Sequence, residues 1–181
     1  MADWMIAVRI STFPDGAVLA PAEGLPPRPG PFLVAVTLED KVISIVPRDI
    51  LEPLAATPPS DLLTRLPPLV TVELDDDRIE EAVLLELADL FGLLPEVPGA
   101  LVERDGAPGG VLTRADTAAA LPLELLDESA TRLGNAPNVQ SRRYICRRCA
   151  PPSRRLPRST TAGPPVCGLV WSHGPMELEG G

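Results

Sequence analysis

The spacing of apolar residues changes three times along residues 66–121, which predicts a succession of short elements there. Residues 69–72 have the apolar character of a buried strand, and the apolar side chains of residues 79–91 then recur at helical intervals. An acidic run at residues 75–77 precedes that helix. We expect these aspartates to cap its first turn, which explains them more simply than a metal site does.

A hairpin and a second helix are predicted next. Two apolar runs, residues 100–102 and 110–112, flank the pair Asp105-Gly106, which is a strong signal for a tight turn between antiparallel strands. Thr113 follows the second run and is placed to cap a helix that continues to Leu121.

The first half of the chain has the same outline. Residues 32–38 and 42–46 predict another hairpin, and a helix is predicted over residues 49–56. A strand is predicted earlier, at residues 4–10. An internal repeat of this length favours two copies that pack on each other and bury a shared core.

The second copy resembles a known family. Its order of strand, helix, strand, strand and helix, together with GVLTRAD at residues 110–116, resembles a cystathionine-β-synthase-type (CBS) domain. CBS domains occur as tandem pairs, and the internal repeat agrees with that arrangement. The first copy departs from the motif at Ser44, Pro47 and Asp49, so it is a degenerate copy.

The resemblance implies a site for an adenine nucleotide at Gly110, Thr113 and Asp116. The Thr113 hydroxyl would meet a phosphate, Asp116 would meet the ribose hydroxyls, and Gly110 would allow close backbone approach. It also implies that the CBS-like halves form a homodimer. The alternative is that Thr113 only caps a helix and Asp116 only stabilises the positive end of that helix.

A second chemical signal lies near the end of the chain. Cys146 and Cys149 form a CxxC knuckle, and Cys167 and His173 supply a second pair after a connection typical of zinc ribbons. The gap between Cys167 and His173 is longer than the usual one. Four such ligands complete a tetrahedron around Zn²⁺, so the predicted ion is structural. The alternatives are a disordered basic tail with incidental cysteines, or a redox CxxC pair.

Composition limits the function. The net charge of −9 argues against a surface that binds nucleic acid as a whole. Seven arginines against two glutamates give the residues after 136 a net charge of +5, and the residues before them carry −14. This basic tail could contact phosphates, an acidic partner, or the acidic half of its own chain. Because the zinc site takes every cysteine and the only histidine, and no phosphate-cradling or nucleophile-elbow motif is present, we expect no enzyme.

The predicted fold is therefore α/β, a CBS-like tandem repeat with a small C-terminal zinc ribbon. The expected divisions are residues 1–66 and 67–130 for the two copies, 131–141 for a linker and 142–181 for the ribbon. We expect a cytoplasmic regulatory or adaptor protein that senses an adenine nucleotide and contacts a protein partner through the ribbon. A ligand-free assembly adaptor and a nucleic-acid-binding ribbon protein are the alternatives.

Overall fold

A computed structural model describes residues 5–12, 18–21, 33–50, 61, 64–121, 142–158 and 163–179. Strands predominate over helices, which confirms the predicted mixture of α and β structure. Helix α1 is Glu81–Leu93 and helix α2 is Arg114–Ala120. The strands are β1 (Met5–Ala7), β2 (Ser11–Thr12), β3 (Val18–Pro21), β4 (Leu33–Leu38), β5 (Lys41–Pro47), β6 (Val70–Glu73), β7 (Arg78–Glu80), β8 (Gly99–Arg104), β9 (Ala107–Thr113), β10 (Tyr144–Cys146), β11 (Ser153–Leu156) and β12 (Glu177–Leu178).

A seven-stranded sheet forms the centre of the described structure, in the order β12-β10-β11-β6-β8-β9-β2. Strand β6 is parallel to both of its neighbours, β11 and β8, whereas the other pairs of this sheet are antiparallel. A smaller sheet has the order β3-β4-β5, and β1 pairs with β7. Hereafter the body is the described part of residues 5–121, and the C-terminal segment is residues 142–158 and 163–179.

Two parts of the body share one strand arrangement. Strand β3 is parallel to β4, which forms an antiparallel hairpin with β5; β6 is likewise parallel to β8, which forms a hairpin with β9. Both turns contain residues with positive φ, Glu39 and Asp40 in one and Asp105 and Gly106 in the other. Both predicted hairpins are thereby confirmed. The resemblance to CBS domains stays a prediction.

The start of α1 differs from the sequence prediction. Glu80 occupies the N-cap position without a side-chain cap hydrogen bond, so the expected capping by residues 75–77 is wrong. The physical reason is that Arg78–Glu80 is a strand: Ile79, fully buried, pairs with Ile6 of β1 before the helix begins. Asp75 and Asp77 instead form ion pairs with arginines.

The strand predicted at residues 4–10 is shorter in the structure, because residues 8–10 lie outside the described strands. Strand β1 ends at Ala7 and pairs with β7, whereas β2 pairs with β9 in the central sheet. Residues 48–50 are helical, and the rest of the helix predicted over residues 49–56 lies outside the described residues. The predicted linker at residues 131–141 lies outside them too.

Alternate residues of the central strands face two different layers. Val70, Val72 and Val102 belong to a core cluster with the buried side of α1. Their neighbours Leu69 and Leu101 contact the β4–β5 hairpin on the opposite face. This alternation follows from the two-residue period of a strand, and it places the sheet between a helical layer and a hairpin layer. None of the described helices has the length and apolar character needed to cross a membrane.

The C-terminal segment continues the central sheet. Strand β11 pairs in parallel with β6, and the Arg154 N–H donates to the carbonyl of Leu69 at 2.9 Å. Leu156 of β11 is fully buried in the same core cluster as α1. The segment is thus built into the central sheet, and the division of the chain at residues 131–141 stays a prediction.

Candidate metal centre

Two short pieces of backbone present the predicted metal ligands. Cys146 ends β10, and Cys149 lies in the turn that follows it. Cys167 and His173 lie on a loop that is closed at its base by the Cys167 N–H, which donates to the carbonyl of Gly174 at 3.1 Å. Within this loop Trp171–His173 forms one turn of 3-10 helix, which returns His173 towards the cysteines. This turn accommodates the unusually long gap in the second ligand pair.

The four side chains meet at one point. The three Sγ atoms and a ring nitrogen of His173 all lie within 4.8 Å of one another. His173 Nδ1 is 3.5 Å from the Sγ atoms of both Cys146 and Cys149, and 3.9 Å from Cys167 Sγ. The Sγ atoms of Cys149 and Cys167 are 3.5 Å apart.

These distances fit a zinc tetrahedron. Bond lengths of about 2.3 Å to sulfur and about 2.0–2.1 Å to nitrogen give edges of about 3.8 Å between sulfurs and about 3.6 Å between sulfur and nitrogen. The cluster can therefore hold a metal ion at its centre, and three thiolates with one imidazole suit Zn²⁺.

The surroundings of the thiols also suit a cation. Burial raises the pKa of Cys149 to about 12, against a weaker lowering effect of the Ser153 hydroxyl, which donates to its Sγ at 3.5 Å. Burial acts on Cys167 in the same direction, but the Val170 N–H, 3.5 Å from its Sγ, and further hydrogen bonds leave the pKa of Cys167 lowered. Buried thiolates gain most from a bound divalent cation, because its charge offsets the cost of removing them from water.

The residues predicted to bind a nucleotide make local contacts. Thr113 is the N-cap of α2: its Oγ1 accepts from the Asp116 N–H at 3.0 Å and donates to the Asp116 carboxylate. The Thr117 hydroxyl donates to the carbonyl of Thr113 at 2.9 Å. Gly110 lies in β9 between Val102 and Thr12. The capping prediction for Thr113 is confirmed, and the nucleotide role of these three residues stays a prediction.

Most arginines of the C-terminal segment contact carboxylates of the chain itself. Arg155 lies between Glu73 and Glu103, and its Nη2 is 2.5 Å from a carboxylate oxygen of each. All three side chains are only 15–16% exposed. The other pairs are Arg142 with Glu80, Arg147 with Glu177, Arg158 with Asp75, and Arg143 and Arg154 with Glu179.

In the Glu73–Arg155–Glu103 group, here called the ion triad, burial and the neighbouring charges shift the pKa values of Glu103 and Arg155. Burial raises the pKa of Glu103, although the Arg155 guanidinium opposes this effect. Burial also acts to lower the pKa of Arg155, but Glu103 and Glu73 outweigh it, so that pKa is raised. The triad fastens β11 to β6 and β8. Sequence reasoning detected the opposite charges of the two halves but not these pairs, which depend on the register of β11.

A cleft of about 200 Å³ adjoins the triad and the metal loop. Lys41, the first residue of β5, donates through Nζ to the carbonyl of Leu169 at 3.3 Å. A Cβ atom at Gly168, next to Cys167, would lie 3.3 Å from Arg155 Nη1, which is a tight contact. The glycine therefore lets the Arg155 side chain lie close to the metal loop. The metal loop therefore contacts the β4–β5 hairpin of the body and lies close to β11 of its own segment.

Comparison with protein-family models, curated proteins and solved structures finds no match to this chain.

Proposed function

We propose that this protein is a non-catalytic adaptor in which one structural zinc ion, held by Cys146, Cys149, Cys167 and His173, fixes a partner-binding segment to the body. The tetrahedral spacing of the four ligand atoms carries this proposal. Four protein ligands fill the coordination shell of Zn²⁺, so no position remains for a substrate or an activated water. Such a metal stabilises structure rather than performing chemistry.

The body supports an adaptor of CBS-like construction. Apart from the short additional strand β7, the order from β6 through α1, β8 and β9 to α2 is the one expected of a CBS-type copy, and β3, β4 and β5 repeat the strand arrangement. Because the resemblance to CBS domains implies that the CBS-like halves self-associate, a homodimer is part of the proposal. We favour the form without a nucleotide, since the hydroxyl of Thr113 and the carboxylate of Asp116 already bond to each other.

Metal analysis of the purified protein tests this function. We expect one zinc per chain in the parent, and loss of that zinc in Cys149→Ser. Ser172→Ala is the matched control, because Ser172 is an exposed residue of the same loop and its loss should leave the zinc content unchanged. A parent protein that contains no zinc and takes up none on titration contradicts the proposal.

A further inference from the structure

The metal loop carries an exposed apolar surface. Trp171 is 79% exposed at the tip of the loop, and Val166 and Val170 are 54% and 38% exposed. A chain with only 3% aromatic residues uses one of its two tryptophans here. Single exposed apolar residues are ordinary, but a tryptophan with apolar neighbours on one loop is typical of an interaction site.

The loop holds this surface in a fixed shape. Val166 pairs with Pro175 at the base of the loop, and the His173 N–H donates to the carbonyl of Val170 at 3.0 Å. Cys167 and His173 point towards the metal position on either side of Trp171. A loop whose backbone is already held in place loses little backbone freedom on binding, which favours affinity.

The charge beside this loop is positive and exposed. Arg148 donates to the carbonyl of His173 at 3.2 Å and makes no ion pair with any described residue. Arg147 meets Glu177 at 3.4 Å, but both side chains are about two-thirds or more exposed. In contrast, Arg155 and Arg154 are only 15% exposed and are held by carboxylates of the chain. The arginines beside the metal loop are therefore available to an external anion.

We infer that Val166, Val170 and Trp171, with Arg147 and Arg148, form a docking surface for an acidic protein segment that carries apolar side chains. We call it the Trp171 face. The inference rests on the proposed adaptor function and names the chemistry of its partner. Tryptophan and arginine are the residues that most often dominate protein–protein binding energy. Charge complementarity decides the occupant: Arg147 and Arg148 attract carboxylates, while apolar side chains cover Trp171.

Single-stranded nucleic acid fits the same surface less well. Stacking on Trp171 is chemically suitable, but nucleic-acid grooves follow the backbone with many cations. Here two exposed arginines stand against a chain of net charge −9. A protein segment needs only a few carboxylates, so it is the occupant we propose.

Fluorescence of Trp171 tests the inference. Trp4→Phe leaves Trp171 as the single tryptophan of the full chain. The probes are a short synthetic peptide in which leucines alternate with glutamates, the same peptide with glutamines in place of glutamates, and single-stranded oligothymidylate. We expect a saturable blue shift with the acidic peptide and about tenfold weaker binding of the glutamine peptide, which corresponds to the loss of one or two charge pairs.

Calorimetry with variants then assigns the contact. Trp171→Ala should weaken acidic-peptide binding at least about 30-fold, as loss of a hot-spot residue does. Leu93→Ala is the matched control: Leu93 is an apolar side chain that is 68% exposed at the end of α1, and its loss should not change binding. Arg148→Gln should weaken the acidic peptide but not the glutamine peptide.

Several results overturn the inference. These are no saturable binding of the acidic peptide, equal binding by Trp171→Ala, tighter binding of oligothymidylate, or self-association of the chain that Trp171→Ala abolishes. Zinc content is measured in the same samples. Zinc-loaded protein that fails to bind the peptide overturns the docking surface alone, whereas protein without zinc overturns the proposed adaptor function first.

Discussion

The body and the C-terminal segment are stabilised by different interactions. Helix α1 buries Leu84, Leu87 and Leu90 against the central sheet, and full burial of each such side chain contributes about 1.5–3 kcal/mol. The buried cluster of the segment consists of the three cysteines and Met176. Since so few apolar atoms cannot offset the entropy of ordering the chain, the segment depends on a metal, on ion pairs and on β6. A short sequence can thus be ordered by ligands and by a neighbouring strand instead of a core of its own.

Loss of the metal should have the largest effect. Chelation, or Cys149→Ser, should unfold the C-terminal segment and leave the α1 side of the body folded, because structural zinc contributes an apparent binding free energy of about 10–16 kcal/mol. Hydrogen exchange measures this. The Arg154 N–H, bonded to Leu69 in the folded chain, should lose protection, while amides of α1 keep theirs. Equal loss of protection in α1 and β11 contradicts the contrast between the two regions.

A core substitution should have the opposite pattern. Leu87 is fully buried, so Leu87→Ala should lower the free energy of unfolding by about 2–5 kcal/mol without changing the zinc content. Leu93→Ala, an exposed position of the same helix, is the control and should have little effect. Thermal unfolding and metal analysis of both variants provide the measurements. If folded Leu87→Ala protein loses zinc, the body and the C-terminal segment are not stabilised independently, which contradicts the proposed contrast.

Breaking the ion triad should weaken the attachment of β11 by an intermediate amount. Arg155→Gln leaves Glu73 and Glu103 nearly buried without their cation, at a cost of about 1–3 kcal/mol. Arg147→Gln is the control, since its exposed pair with Glu177 should contribute at most about 1 kcal/mol. Urea unfolding compares the two variants. Equal stability of the two variants refutes a role for the triad in holding the segment.

The stability lost in Arg155→Gln should depend on pH. Burial raises the pKa of Glu103 above its ordinary value of 4.5, and removal of Arg155 takes away the group that opposes this rise. A raised carboxyl pKa means that the folded state binds the proton more tightly than the unfolded state. Its stabilising contribution is present below 4.5 and is lost as pH rises through the folded pKa. The defect of Arg155→Gln should therefore shrink as pH is lowered from about 7 to about 5.

The smallest effect is expected at the cap of α2. Thr113→Ala should cost about 1 kcal/mol, because it removes the acceptor for the Asp116 N–H. Thr113→Ser, which keeps the hydroxyl, should cost much less.

Calorimetry with ATP, ADP and AMP should show no binding to the parent. Nucleotide binding that Asp116→Ala abolishes contradicts the ligand-free account and restores the nucleotide-sensing interpretation.

Local signals in the sequence predicted a good part of the fold. The two hairpins followed from apolar runs around turn residues such as Asp105 and Gly106, since both strands and turn lie within a few residues. The four candidate ligands were recognisable because cysteine and histidine are rare in this chain. Ile79 was misassigned to a helix because pairing with the distant Ile6 decides its conformation.

Non-local pairings could not be predicted. The position of β11 beside β6 depends on a strand that is far away in sequence, and no turn between the two specifies the register. The ion triad depends on that register, so it could not be predicted from the sequence either. The exposure of Trp171 depends on the turn that brings His173 back to the cysteines, for which the spacing of ligands gave no signal.

X-ray absorption at the zinc edge tests the central claim most directly. For the purified parent protein we expect a first shell of three sulfurs at about 2.3 Å and one nitrogen at about 2.0–2.1 Å, the set supplied by Cys146, Cys149, Cys167 and His173. In His173→Ala the nitrogen should be replaced by a water oxygen or the zinc should be lost. A shell that contains water oxygen in the parent, or one unchanged by His173→Ala, contradicts a closed structural site.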